Sequence, residues 1–196
     1  MSVRTKKRSK TACTVLLGFS ALTLAACEDD TVEAQLFESE AQCEAQGQEG
    51  GSWWTPEDCE EGFAQARAEH AEAAPRYDAL EVCEEQHGEG MCQEDQFSQG
   101  GGFGSIFLPL MAGYMIGNAL SGKRAKPLYA AKGGGFATAG GTTRFARASG
   151  STRLSPASLT RASSTINARP MSRATVSRSG GFGAARTSSG SRSFGG

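Results

Sequence analysis

The sequence predicts a small, mainly-α domain (α+β if its first segment pairs as a strand), stapled by disulfides and followed by a long disordered Gly/Ser/Arg-rich tail. Three observations predict it. Helix start and stop signals recur through the first half, at Ser39/Gln42, at Thr55-Pro56 and at Asp78/Glu81. Four cysteines, Cys43, Cys59, Cys83 and Cys92, lie among them. From Ser121 onward the chain is Gly, Ser, Ala, Thr and Arg with single Phe, Leu and Ile residues, so it offers little apolar surface to offset the entropy of ordering.

The chain opens on Arg4, Lys6, Lys7, Arg8 and Lys10, continues with an apolar run from Ala12 to Ala26, and reaches Leu24-Ala25-Ala26-Cys27. A basic start, a short apolar core and small residues before an acylatable thiol form a lipobox. Residues 1–26 are therefore expected to be a lipoprotein signal peptide, Cys27 the lipidated residue, and 27–36 an acylated linker; an ordinary A-x-A cleavage or an uncleaved anchor are the competing readings. The expected localisation is the cell envelope, lipid-anchored and facing the periplasm. Glu28 follows the cysteine, which favours the outer over the inner membrane, where Asp is the retention signal.

The chain holds 20 Lys and Arg against 21 Asp and Glu, yet the signs are segregated. All 21 acids fall in residues 28–100 beside only Arg67 and Arg76, while residues 101–196 carry 13 bases and no acid. The two blocks therefore have net charges of −19 and +13. They are expected to attract one another as a fuzzy, salt-sensitive ensemble without a fixed docked fold.

Residues 37–95 are the expected acidic, disulfide-stapled head. Val32 to Phe37 is a candidate short strand. Ser39 caps a short helix carrying Cys43; Thr55, Pro56, Glu57 and Asp58 open the best helix, which runs to about Ala74 and stops at Pro75. Cys59, Phe63, Ala66 and His70 recur along it at helical spacing as a buried stripe. Asp78 with Glu81 starts a third helix, and Gly88 ends it.

An even number of cysteines in an exported segment favours two disulfides, and three pairings are possible. Phe37 to Gln46 matches Tyr77 to Gln86 in its aromatic, its cysteine and the Glu-x-Gln that follows, a repeat of 40 residues. The repeat selects Cys43 with Cys59 and Cys83 with Cys92. Without close C-x2-C pairs a zinc site is disfavoured, and no metal or cofactor is expected.

Residues 96–120 form a Gly-rich hinge and an uncharged apolar segment. As a helix from Ile106 to Leu120 it would be about 22 Å long, short of the roughly 30 Å hydrocarbon core. Gly113 and Gly117 would then form a G-x-x-x-G interaction face. That helix would pack back onto the head, insert into a membrane surface, or mediate self-association. Residues 121–196 complete the expected division as the disordered basic tail.

Several stretches carry a family resemblance. These are the lipobox cysteine, Ala74-Pro75-Arg76-Tyr77, Gly88-Glu89-Gly90-Met91-Cys92-Gln93, Pro109-Leu110-Met111-Ala112-Gly113-Tyr114-Met115-Ile116-Gly117, and the Gly-Gly-Phe-Gly and Ser-Arg-Ser-Phe-Gly-Gly ends. In them the chain resembles the YgiB-like lipoproteins of Gram-negative bacteria, a group without an assigned activity. Genes of that group often neighbour an ATP-grasp ligase similar to glutathionylspermidine synthase, which implies no catalytic residue here.

Catalytic patterns fail on residue type. A Ser or Cys nucleophile needs an orienting base, and only His70 and His87 are available, one on an apolar stripe and one at a helix end. The glycine runs lack the Lys-Ser/Thr of a phosphate loop. The arginine-rich tail would suit RNA in the cytosol, but export removes nucleic acid as a partner and leaves envelope proteins, lipid head groups or acidic polymers. The sequence therefore points to a non-enzymatic envelope tether or interaction module. The alternative is an accessory subunit of the ATP-grasp ligase system.

Overall fold

The computed structural model describes residues 31–95, 104–119 and 122–184. Cys27, the expected lipidation site, lies outside them. The chain starts with strand β1 (Val32–Phe37), followed by helices α1 (Glu40–Gln48), α2 (Pro56–Ala73) and α3 (Leu80–His87). Strands β2 (Cys92–Glu94) and β3 (Phe107–Pro109) form a small ladder. Then come β4 (Gly113–Ala119), β5 (Gly122–Ala130), β6 (Phe136–Thr138), β7 (Arg144–Phe145) and β8 (Gly150–Leu154). A 3-10 turn (Pro156–Leu159) and helix α4 (Arg173–Ser179) complete the described chain.

Six strands make one curled antiparallel sheet in the order β7-β6-β5-β4-β1-β8. The mainly-α expectation is overturned by this sheet, and so is the long disordered tail, since residues 122–184 supply four of its strands, the 3-10 turn and a helix. The physical reason lies in the apolar segment. Pro109, Gly113 and Gly117 are poor helix residues, and a short uninterrupted apolar run equally suits a strand covered on both faces. The helix expected over Ile106 to Leu120 is accordingly β3 and β4.

β4 is central, paired with β1 on one side and β5 on the other. One face carries Phe37, Tyr114, Ile116 and Ala125 and is covered by α1 and α2 through Cys43, Cys59 and Ala66. Gly62 is where α2 comes nearest the sheet, because a Cβ there would lie 2.9 Å from Ile116 Cδ1. Trp54 meets Phe37 edge-on at 5.5 Å and closes the end of this layer. The other face holds Ala34, Leu36, Met115 and Leu128 under Leu154 and Leu159. The C-terminal half thus lends its few leucines to a core begun by the first half.

Helix α2 starts with the capping box read from sequence: Thr55 Oγ1 accepts from Asp58 N, and Asp58 Oδ2 accepts from Thr55 N at 2.7 Å. Helix α1 is capped by Ser39, whose Oγ accepts from Gln42 N at 3.2 Å. α3 starts at Leu80, one residue later than a cap at Asp78 would set; its N-cap is Ala79, without a side-chain cap bond, and its C-cap is Gly88.

Two disulfides staple these elements. Cys43–Cys59 joins α1 to α2, and Cys83–Cys92 joins α3 to β2. Charge supplies further links. Among the described residues, five ion pairs join an acid of the first half to a base of the second: Asp58–Lys123, Glu69–Lys126, Glu33–Arg153, Glu72–Arg161 and Glu85–Arg173. The expected fuzzy attraction between oppositely charged blocks is therefore replaced by fixed pairs within one fold.

Candidate functional site

Chemically versatile side chains converge at two places. The first is a buried aromatic and histidine network. Tyr77 follows the sharp exit of α2 and is pinned by backbone bonds in both directions to Phe107, while Asp78 N donates to Met171 O. α3 presents His87 next to it, β5 contributes Tyr129, and α2 adds His70. Tyr77 Oη and His87 Nε2 are 2.8 Å apart, and His87 Nδ1 lies 2.7 Å from the Ala130 carbonyl oxygen.

A carbonyl can only accept, so Nδ1 carries the hydrogen and Nε2 of the neutral ring accepts from the Tyr77 hydroxyl. His87 is 3 % exposed, and burial holds its pKa down at about 4 despite the carbonyl partner. His70 Nδ1 stands 3.0 Å from Tyr129 Oη, and burial lowers its pKa as well, with Arg76 acting in the same direction. Burial pushes the phenols of Tyr77 and Tyr129 above their ordinary range. Phe182 seals the cluster with its ring 4.5 Å from His87, tied down by Phe182 N donating to Gln86 Oε1 at 3.0 Å. Both nitrogens of His87 are thus engaged, with Tyr129 and Phe182 packed around the ring.

The second place is a cleft of about 130 Å³ along the outer edge of β5, lined by Gln65, Glu69, Arg124, Lys126, Leu159 and Arg161 with two alanines. β6 pairs only with Leu128–Ala130, so the edge of β5 before that point meets no strand. Pro127 presents no N–H there, and the outward N–H of Ala125 donates to Gln65 Oε1 at 2.8 Å. Lys126 is 3 % exposed; its Nζ is 2.6 Å from Glu69 Oε1 and also donates to the Thr160 carbonyl. Glu69 Oε1 accepts Ala162 N as well. A buried ion pair with these added bonds is electrically closed, whereas Arg124 is exposed and has no ion pair among the described residues.

Gly113 and Gly117 sit in β4 rather than on a helix face. A Cβ at Gly113 would run into the Phe37 carbonyl, and one at Gly117 would lie 2.5 Å from Leu159 Cδ1. Their neighbours are thus within the chain. His70 and His87 fall into the buried network, together with Tyr77, Tyr129 and Phe182, to which the sequence reading gave no site role. The sequence did hold a signal for Tyr129: Pro127-Leu128-Tyr129-Ala130 is the most apolar piece of the supposed tail. Among the described residues, no three of His, Cys, Asp and Glu are grouped so as to hold a metal ion. No helix among them is long and apolar enough to cross a membrane.

Residues 31–193 match the family described as "Protein of unknown function (DUF1190)". The chain belongs to this family. It is similar to the "UPF0441 protein" of Erwinia tasmaniensis, 34 % identical over an alignment of 130 residues that covers 60 % of this chain and 56 % of the relative. The "UPF0441 protein" of Klebsiella pneumoniae strain 342 is 30 % identical over 120 residues, 56 % and 52 % of the two chains. A third relative, from Yersinia enterocolitica, is 28 % identical over 142 residues, 64 % and 60 % of the two. The matched part of the chain thus spans a little over half the length of these curated relatives. This is the YgiB-like group that the sequence motifs pointed to. No solved structure matches the chain.

Proposed function

We propose that the protein is a non-enzymatic interaction module of the cell envelope, anchored through lipidated Cys27 and facing the periplasm. The observation that carries this reading is how charge is distributed over the fold. Acids line helices α1 to α3, while Arg124, Lys132, Arg147, Arg169 and Arg178 are exposed cations without an ion pair among the described residues. Exposed cations without an acidic partner suit docking of anionic envelope components, and the acid-bearing helices suit cationic ones. The two disulfides fit an oxidising compartment. Saturation of His87 removes the residue best suited to proton transfer from contact with a substrate.

The anchor is tested by metabolic labelling with a palmitate analogue, where wild type is labelled and Cys27→Ser is not. Equal labelling of the two overturns the anchor. Density-gradient fractionation then assigns the membrane, with the outer membrane expected. Crosslinking in intact envelopes identifies the docked component, and recovery of an ATP-grasp ligase as the main product would favour the accessory-subunit alternative.

A further inference from the structure

We propose that the cleft along the outer edge of β5 is a binding site for a tetrahedral phosphate group, held between Arg124 and Arg161 over the Lys126–Glu69 pair. This deepens the interaction-module reading and rests on it. Three cations and one carboxylate line the cleft. The carboxylate is paired through Oε1 with Lys126, and the three cations outnumber it, so the lining keeps a net positive charge. A volume of about 130 Å³ equals the space of roughly four waters, which suits the four oxygens of a phosphate.

Donors line that space. The Ala125 N–H fixes Gln65 with Oε1 toward the backbone, so the side chain's free end is the NH2 group, a donor. Arg124 brings an exposed guanidinium whose planar fork matches phosphate geometry. Arg161 is 2.8 Å from Glu72, but the two side chains are 64 % and 47 % exposed, and such a pair is weak enough for Arg161 to exchange onto a ligand. Lys126 holds the floor, its stem buried and its charge locked in place. The site thus combines a rigid neutralised base with two movable guanidinium groups at its rim.

Phosphate of this kind could come from a lipid head group or from a soluble phosphate, and the test separates them. The Cys27→Ser chain, purified from an oxidising compartment, is titrated with inorganic phosphate at constant ionic strength while backbone amide shifts are followed by NMR. Saturable shifts are expected at Ala125, Lys126 and Ala162. Arg124→Ala and Arg161→Ala should each weaken binding about tenfold, Glu72→Gln should strengthen it two- to threefold by releasing Arg161, and Arg173→Ala, outside the cleft and paired with Glu85, should leave it unchanged. Binding to phosphatidylglycerol vesicles that inorganic phosphate displaces assigns a lipid head group; phosphate binding that the vesicles do not compete with assigns a soluble one. Either supports the site. Shifts reproduced by chloride alone, or an Arg173→Ala effect equal to that of Arg124→Ala, overturn it. Failure here with Cys27 still labelled by palmitate would reject the cleft and leave the anchored-module reading standing.

Discussion

Acidification should destabilise this fold before its carboxylates begin to titrate, and His87 is the cause. Its ring sits 3 % exposed between the Tyr77 hydroxyl and the Ala130 carbonyl, with a pKa of about 4 in the folded protein. In the unfolded chain the same ring returns to about 6.5. Between those values the unfolded state binds more protons than the folded state, so stability falls as pH falls. The full contribution is present above the unfolded value and is lost progressively toward the folded one. Taking the two values together, the loss between pH 7 and pH 5 is about 2 kcal/mol, in a range where Asp and Glu contribute little.

Urea denaturation across this range is the assay, with His87→Gln as the comparison. The variant is expected to be less stable at pH 7, since it disturbs the bonds to Tyr77 and Ala130, but its stability should vary with pH by about 2 kcal/mol less than wild type. His70 is shifted in the same direction and retains its own smaller share in both proteins. Carbon-13 labelling of the histidine rings supplies the direct check. A folded-state titration of His87 near 6.5, or an unchanged pH slope in the variant, would refute the reasoning.

Three further perturbations have defined outcomes. Gly117→Ala places a methyl against Leu159 Cδ1 and should cost about 1–3 kcal/mol, with Gly117→Ala/Leu159→Ala regaining part of that loss in thermal denaturation. Replacing Cys83 and Cys92 with serine removes a cross-link spanning 9 residues and should lower stability by roughly 3 kcal/mol, read as a lower urea midpoint in the oxidised protein. Glu69→Gln leaves the buried Lys126 ammonium with neutral acceptors and no counter-charge, a loss of about 3–5 kcal/mol, whereas Glu69→Met/Lys126→Met should be closer to wild type. Equal losses in that single and double variant would show that the ammonium reaches water by itself.

The helices were legible because their signals are local. Ser39 with Gln42 and Thr55 with Pro56 and Asp58 act within four residues, and each appears at the expected helix start. The first strand was legible at Val32–Phe37, and the repeat around Cys43 and Cys83 suggested the disulfide pairing that the structure has. The sheet was not legible, because strand formation depends on partners distant in sequence. Met115 and Ile116 face opposite sides of β4, and both sides are covered, so no alternation of apolar and polar residues announces the strand. The candidate site was hidden for the same reason: Gln65, Arg124 and Arg161 meet only after the sheet has formed.

Composition misled most at residues 122–184, and the reason concerns how a core can be shared. Taken alone, this stretch has too few large apolar side chains to order itself. In the fold it inserts Leu128, Leu154 and Leu159 around Leu36 and Met115, and places Tyr129 beside Ala73 and Ala74. Its small residues permit close contacts that larger side chains would obstruct, as Gly135 does against the Phe145 carbonyl. Opposite charge then works with burial rather than in place of it. Lys126 reaches Glu69 only because β5 lies against α2, and Arg161 reaches Glu72 at the other end of the same cleft. Neither half carries a closed core of its own, so the acidic and basic blocks are the interlocking halves of one domain.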